Sequence, residues 1–309
     1  MDTGNKPTLL HRRESADQQT LVTVGPAVFG GTDVVMVAGP CAVESEEQLE
    51  TVAQMLSQLG IPCLRGGAYK PRTSPYNYQG MGEPGLVLMA EVAKRHGLSV
   101  ISEVMSTEQI AIAEPYVDCY QVGSRNMQNF ELLKALGQTQ KPVLLKRGLA
   151  STIEEFLLAA EYILAGGNPN VILCERGIRS FDPMTRNVLD LASVALLKEL
   201  THLPVVVDPS HATGKRSLIA ATAKAAIAVG ADAVMVEAHP NPEASISDAA
   251  QALSLPMLAE MMPDLAAVAM AIGRGLAYPN PLQSTESAMA SVCRMNQVSQ
   301  SAVVASGVA

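Results

Sequence analysis

Two sets of residues in this chain have the types and spacing to do chemistry. The first lies in Leu64-Arg-Gly-Gly-Ala-Tyr-Lys-Pro-Arg-Thr-Ser-Pro-Tyr76, which holds Arg65, Lys70 and Arg72 among glycines and prolines with no acid between them. A glycine pair lets backbone come close to a ligand, and guanidinium forks grip carboxylate or phosphate oxygens. A solvated basic loop would need neither the Gly-Gly nor the stiff Lys-Pro-Arg. Further on, Arg125, Lys146 and Arg176 each follow or end an apolar run. Arg65, Lys70 and Lys146 suit a carboxylate. Arg125 and Arg176 suit a phosphate, with Lys146 shared, and Arg72 with Thr73 suits a second phosphate further out. The second set is Cys41, His211, Glu237 and Asp248. Sulfur, imidazole and carboxylate donors together serve Mn²⁺, Fe²⁺, Co²⁺ or Zn²⁺. His239 competes with His211, because strand alternation points Glu237 and His239 the same way. The place of His211, just past the strongest apolar run, favours it. Two anionic substrates and one metal describe a bimolecular condensation better than a hydrolysis.

These residues are scattered over two hundred positions, so the fold has to gather them. Apolar runs at 34–39, 62–66, 99–104, 119–124, 142–147, 170–175, 204–208 and 233–238 read as strands. Helical patterns separate them, several opened by Ser three residues ahead of Gln or Glu: Ser45/Gln48, Ser106/Gln109 and Ser151/Glu154. Short buried strands alternating with helices imply parallel pairing, and eight such units predict a (β/α)₈ barrel, class α/β. An open doubly wound sheet is the rival, but Gly39-Pro-Cys is not the Gly-rich nucleotide turn such a sheet favours. In a barrel the strand ends converge on one face, bringing Cys41, Arg65, Glu103, Arg125, Lys146, Arg176, His211 and Glu237 together. Residues 20–33 alternate apolar and polar around turn residues and predict an N-terminal β-hairpin. The expected organisation is a mobile 1–19, a catalytic barrel with its hairpin over 20–277, and a tail over 278–309. A helix is expected at 257–272.

Composition sets the outer bounds. With 309 residues, 48% of them hydrophobic, the chain can bury a large core, and its net charge of −8 argues against nucleic acid or anionic membrane as partner. Half of its 22 lysines and arginines nevertheless sit at or just after the predicted strand ends, which focuses positive field on a small anionic ligand. The five cysteines form no CxxC pair and are odd in number, so free thiols in a reducing cytoplasm are expected. No run approaches the 18 apolar residues of a membrane span.

At this length of motif the chain resembles a known family. Gly39-Pro-Cys-Ala-Val-Glu-Ser45, Arg65 to Tyr76, Gln121-Val-Gly-Ser-Arg-Asn-Met-Gln-Asn129, Pro142-Val-Leu-Leu-Lys-Arg-Gly148, Cys174-Glu-Arg-Gly-Ile-Arg179, Asp208-Pro-Ser-His-Ala-Thr-Gly-Lys215 and Val236-Glu-Ala-His-Pro-Asn-Pro242 are similar to the 3-deoxy-D-arabino-heptulosonate 7-phosphate (DAHP) synthases, type I beta group. The resemblance covers about residues 20–275. It implies a metal-dependent condensation of phosphoenolpyruvate with erythrose 4-phosphate in the cytoplasm, the first step of the shikimate pathway. Cys41, His211, Glu237 and Asp248 would hold the metal, Mn²⁺ foremost, and polarise the aldehyde. Arg65, Lys70, Arg125, Lys146 and Arg176 would bind phosphoenolpyruvate; Lys70, Pro71, Arg72 and Thr73 would face erythrose 4-phosphate, with Lys70 as proton donor. Octulosonate phosphate synthases resemble this family through most of the barrel but carry an Asn-containing segment where this chain reads Lys-Pro-Arg-Thr. Ala42, Ser124, Ala238 and Ala249-Ala250 depart mildly from common family residues. No regulatory domain fits before residue 20, so control, if any, is expected from a separate partner such as a chorismate mutase. A homodimer or homotetramer is the expected assembly.

Overall fold

A computed structural model describes residues 8–277. Eight parallel strands form its centre: β3 (Val35–Gly39), β4 (Cys63–Arg65), β5 (Ser99–Glu103), β6 (Cys119–Val122), β7 (Val143–Lys146), β8 (Val171–Glu175), β9 (Val205–Val207) and β10 (Ala233–His239). Each pairs with the next in sequence, and β10 pairs back onto β3, closing the (β/α)₈ barrel. All eight predicted strands are present, within a few residues at their ends. Before them come β1 (Val22–Val24) and β2 (Ala27–Phe29), antiparallel as expected, with Val22 opposite Phe29. The short β11 (Leu253–Ser254) extends the sheet beside the top of β10.

The strands read as near-continuous apolar runs because both faces are covered. Inward, Val35, Val37, Cys63, Ile101, Leu144, Ile172, Val206 and Met235 fill the lower barrel. Val22, Val24, Ala27 and Phe29 of the hairpin join that same cluster, each at most 1% exposed, so the hairpin stoppers the barrel's amino-terminal end. Outward, a second core lies between strands and helices. The helices are α1 (Glu46–Gln58), α2 (Glu83–His96), α3 (Thr107–Ala113), α4 (Phe130–Gly137), α5 (Ile153–Ala165), α6 (Leu191–Leu200), α7 (Pro209–Thr213), α8 (Ile219–Ala228) and α9 (Leu255–Ala271), the last beginning two residues before its predicted start.

Two expectations shift in detail. Ser45 does cap α1, but α5 is capped one residue later than expected, by a reciprocal Thr152–Glu155 box. Threonine offers the same hydroxyl as Ser151, and Glu155, not Glu154, reaches back to it. Ser106 sits at the start of α3 without a side-chain bond to it. Within residues 8–19, expected to be mobile, the first part is fastened to the barrel: His11 Nδ1 meets Glu161 of α5 at 2.8 Å, and the Leu10 carbonyl meets His202 Nε2 at 2.7 Å. The predicted tail at 278–309 lies outside the described residues.

Candidate active site

The carboxyl ends of the strands carry the site. Gly39 ends β3 so close to β4 that a Cβ there would lie 2.0 Å from the Arg65 carbonyl oxygen, so only glycine fits. Beyond Pro40 comes Cys41, whose Sγ lies 3.2 Å from Asp248 Oδ2. Ligand atoms of Cys41, His211, Glu237 and Asp248 all lie within 4.8 Å of one another. That is the predicted donor set, gathered from the turn after β3, α7, β10 and the loop after β10.

Each donor is aimed by a partner. Asp208 caps α7: its Oδ1 accepts from the His211 backbone N–H at 3.0 Å, and its Oδ2 lies 2.6 Å from His211 Nδ1. Nδ1 is thereby engaged and Nε2 turns to Glu237 Oε1, 3.0 Å away. Outer partners of this kind fix ring orientation at metal sites. Glu237 is also held by Arg65 Nη1 at 3.0 Å and by Gln251 Nε2 at 2.6 Å. Asp248 is the one non-glycine residue with positive φ among the described residues, at 56°. A backbone held in the left-handed region marks a placement imposed by its surroundings. Arg186 Nη1 donates to its Oδ1 at 3.2 Å.

The electrostatics fit a site built for a cation. Burial opposes charge on His211, yet the Asp208 and Glu237 carboxylates pull its pKa up from 6.5 to about 9. Burial also opposes charge on Glu237, but His211, Arg65 and Lys70 hold it well below the usual carboxylate range. His239 does not compete. Its Nε2 faces Glu44 Oε2 at 3.3 Å and its Nδ1 accepts from the Asn241 N–H, one pleat higher than the donor set.

Above the donors opens a cavity of about 400 Å³. Arg65, Lys70, Pro71, Arg72, Thr73, Arg125, Lys146 and Arg176 all line it, together with His211 and Asp248. Lys70 reaches down to the donors, its Nζ 2.7 Å from Cys41 O and 3.1 Å from Cys41 Sγ. Gly67 leaves the space for it, since a Cβ there would sit 2.9 Å from that ammonium. Lys146 Nζ donates to Asp208 Oδ2 at 2.5 Å, and Arg176 Nη2 to the His211 carbonyl at 3.1 Å. Arg72 stands at the rim, its Nε on Tyr78 O and its Nη2 on Ser247 Oγ at 2.7 Å.

Glu103 and Glu175 differ in a way their strand-end positions conceal. Glu103 lines the cavity; its Oε2 accepts from Gln121 and its buried Oε1 has no partner. Glu175 points outward and is taken up by Arg147 Nη1 at 2.9 Å and the Gly177 N–H at 2.7 Å. Sequence reasoning assigned nothing to Asp208, Gln251 or Ser247. Only Asp208 had a legible signal, an Asp-Pro start three residues ahead of the histidine.

Comparison with known proteins places the chain among relatives of the same fold. The profile of the DAHP synthetase I family matches residues 15–271. A phospho-2-dehydro-3-deoxyheptonate aldolase of Thermotoga maritima is 47% identical over 268 residues, covering 87% of this chain and 79% of that protein. The crystal structure of that DAHP synthase superposes with a TM-score of 0.85 at 45% identity, over 88% of this chain and 80% of that one. A truncated form of the T. maritima synthase gives 0.81 at 43% identity, over 87% of this chain and 98% of that one. A 2-dehydro-3-deoxyphosphooctonate aldolase of Syntrophotalea carbinolica is 30% identical over 264 residues, covering 79% of this chain and 94% of that protein. With the family profile matched over most of its length and a relative 47% identical over 268 residues, the chain belongs to the DAHP synthetase I family.

Proposed function

We propose that this chain works as its family does: it condenses phosphoenolpyruvate with D-erythrose 4-phosphate and water, giving 3-deoxy-D-arabino-heptulosonate 7-phosphate and phosphate. This is the first step of the shikimate pathway. The observation that carries the assignment is the convergence of eight cavity residues, from Arg65 to Arg176, directly above the Cys41/His211/Glu237/Asp248 donors. The donors are mixed and their outer partners aim them inward, so the residues present fit a divalent ion, Mn²⁺ first, with Fe²⁺, Co²⁺ and Zn²⁺ as alternatives. Bound there, the ion supplies Lewis-acid polarisation of the aldehyde.

The rest belongs to the protein. Arg65 and Lys70 take the carboxylate of phosphoenolpyruvate; Arg125 and Arg176, with Lys146, take its phosphate. Arg72 and Thr73 at the rim take the sugar phosphate, which leaves its aldehyde carbon over C3 of the enol. The new C–C bond forms from C3 to the aldehyde carbon, and Lys70 Nζ delivers a proton to the aldehyde oxygen. Positive charge at C2 is met by water. Glu103 Oε1, buried and unpartnered, suits the proton that water gives up. Cleavage of the C2–O bond then releases phosphate to the cations that held it.

The assembly proposed is a homodimer or homotetramer in the cytoplasm, with a chorismate mutase as a candidate regulatory partner. No described helix is long and apolar enough to cross a membrane. On the outer flank Phe130 and Tyr162 stack at 4.6 Å while 41% and 38% exposed, which suits self-association. The decisive assay offers erythrose 4-phosphate and arabinose 5-phosphate side by side and follows phosphate release. Turnover with the four-carbon sugar is expected; turnover with arabinose 5-phosphate alone would reassign the chain to octulosonate phosphate synthesis.

A further inference from the structure

Ser247 is 3% exposed and stands between the two halves of the site. Its Oγ lies 3.0 Å from Cys41 Sγ, 3.5 Å from Asp248 Oδ2 and 2.7 Å from Arg72 Nη2. One hydroxyl therefore touches two members of the donor set and the rim arginine. A guanidinium has only donors, so Arg72 must take a lone pair of the hydroxyl oxygen. The single hydroxyl proton is left for the sulfur or the carboxylate.

The hydroxyl is also held still. Glu44, three residues after Cys41, accepts from the Ile246 N–H at 3.0 Å and from Ser245 Oγ at 3.2 Å. Ser245 Oγ can donate one proton only; its contacts with Glu44 and with Ser247 O at 2.8 Å share it. On the other side, Arg72 Nε is fixed by Tyr78 O at 3.0 Å, and the Tyr78 hydroxyl donates to Val43 O at 2.8 Å. Both loops are thus fastened to the same turn after β3, and Ser247 closes the circuit between them. Two of the five guanidinium N–H groups of Arg72 are used in this way, leaving the others for a phosphate.

We propose that Ser247 is a positioning residue that couples occupancy of the donor set to the sugar-phosphate grip of Arg72. An ion taken up by the donor set, which includes Cys41 and Asp248, would fix both acceptors that the hydroxyl faces. That fixes the hydroxyl, and with it the direction of Arg72 Nη2. Coupling between two binding sites is reciprocal, so the sugar phosphate tightens ion binding by the same factor. The inference rests on the reading above, in which Arg72 binds the phosphate of erythrose 4-phosphate.

The test measures Mn²⁺ affinity by competition with a fluorescent chelator, with and without erythrose 4-phosphate, and KM for both substrates. In the unaltered chain the sugar phosphate is expected to tighten Mn²⁺ binding about fivefold or more. In Ser247→Ala that factor falls to about one, and KM for erythrose 4-phosphate rises while KM for phosphoenolpyruvate stays put. An intact coupling factor in Ser247→Ala, or an equal rise in both KM values, overturns the proposal. Arg72→Met separates the two levels of the argument. If it raises KM for the sugar while Ser247→Ala keeps the coupling, the coupling alone is wrong; if it leaves that KM unchanged, the Arg72 reading fails and the coupling falls with it.

Discussion

Cys41 and Asp208 act on the same centre from different distances, and their substitutions should differ in degree. Cys41→Ala removes a donor, so Mn²⁺ affinity measured by chelator competition should fall by more than about a hundredfold, with the melting temperature in chelator little changed. Asp208→Asn keeps every donor but loosens the aim of His211, a loss of about 10–100-fold. The ion-free chain carries a second signature. Folding raises the pKa of His211 from 6.5 to about 9, so its protonation stabilises the folded state. That contribution is complete below pH 6.5 and disappears as pH rises through about 9. Denaturant melts of the chelated chain should therefore lose stability over this window, and His211→Gln should flatten the loss. The donors themselves were legible because cysteine, histidine and acids at strand ends are few. Gln251 and Ser247 were not, since an amide and a serine are ordinary residues until geometry puts them against a donor, and the Asp-Pro signal of Asp208 announced a helix cap, not the partner of His211 Nδ1. The choice between His211 and His239 likewise needed the third dimension: alternation gives direction, not height along the strand.

At the scale of elements, β7 and β8 show how one strand end serves two ends. Lys146 turns into the cavity and Arg147, its neighbour, turns out; on β8, Glu175 turns out and Arg176 turns in. The outward pair is buried, with Arg147 Nη1 also 3.0 Å from Asp190 Oδ2 and 3.2 Å from Ser193 Oγ of α6. It ties two strand ends and a helix start beneath two inward cations that repel each other. Arg147→Met takes the ion-pair partner from buried Glu175 and leaves it only the Gly177 N–H, which should cost about 3–5 kcal/mol in denaturant unfolding. Arg147→Met with Glu175→Gln should recover much of that stability, yet still show a raised KM for phosphoenolpyruvate, because Lys146 and Arg176 lose their common footing. From sequence the strands were plain, since each lies in a largely apolar run of five or six residues between helical patterns. Which of two adjacent charges points inward was not, because it depends on where the pleat stands when the strand ends. The shift of the α5 cap from Ser151 to Thr152 has the same origin, as two adjacent hydroxyl residues both satisfy the pattern.

For the whole molecule, chemistry and stability occupy opposite ends of the barrel. Phe29 is fully buried in the hairpin stopper, in the cluster that fills the lower barrel. Phe29→Ala should lower unfolding free energy by about 3–5 kcal/mol while leaving both KM values unchanged in the folded enzyme. A matching change in KM would mean that the two ends communicate. The barrel and hairpin were readable from alternation and periodicity, whereas the seating of the segment before the hairpin was not: it rests on Leu10 and His11 meeting His202 and Glu161 across more than a hundred residues of chain. The stopper has one more consequence. Because the floor is sealed by Val22, Val24, Ala27 and Phe29, the barrel is a vessel with a single opening, and all traffic shares it. Arg65, Lys146 and Arg176 lie deep, at 3–6% exposure, below the rim where Arg72 stands. On the roles proposed above, the molecule held by the deep cations enters before the one held at the rim, and the phosphate freed at the bottom leaves by the doorway through which the sugar arrived.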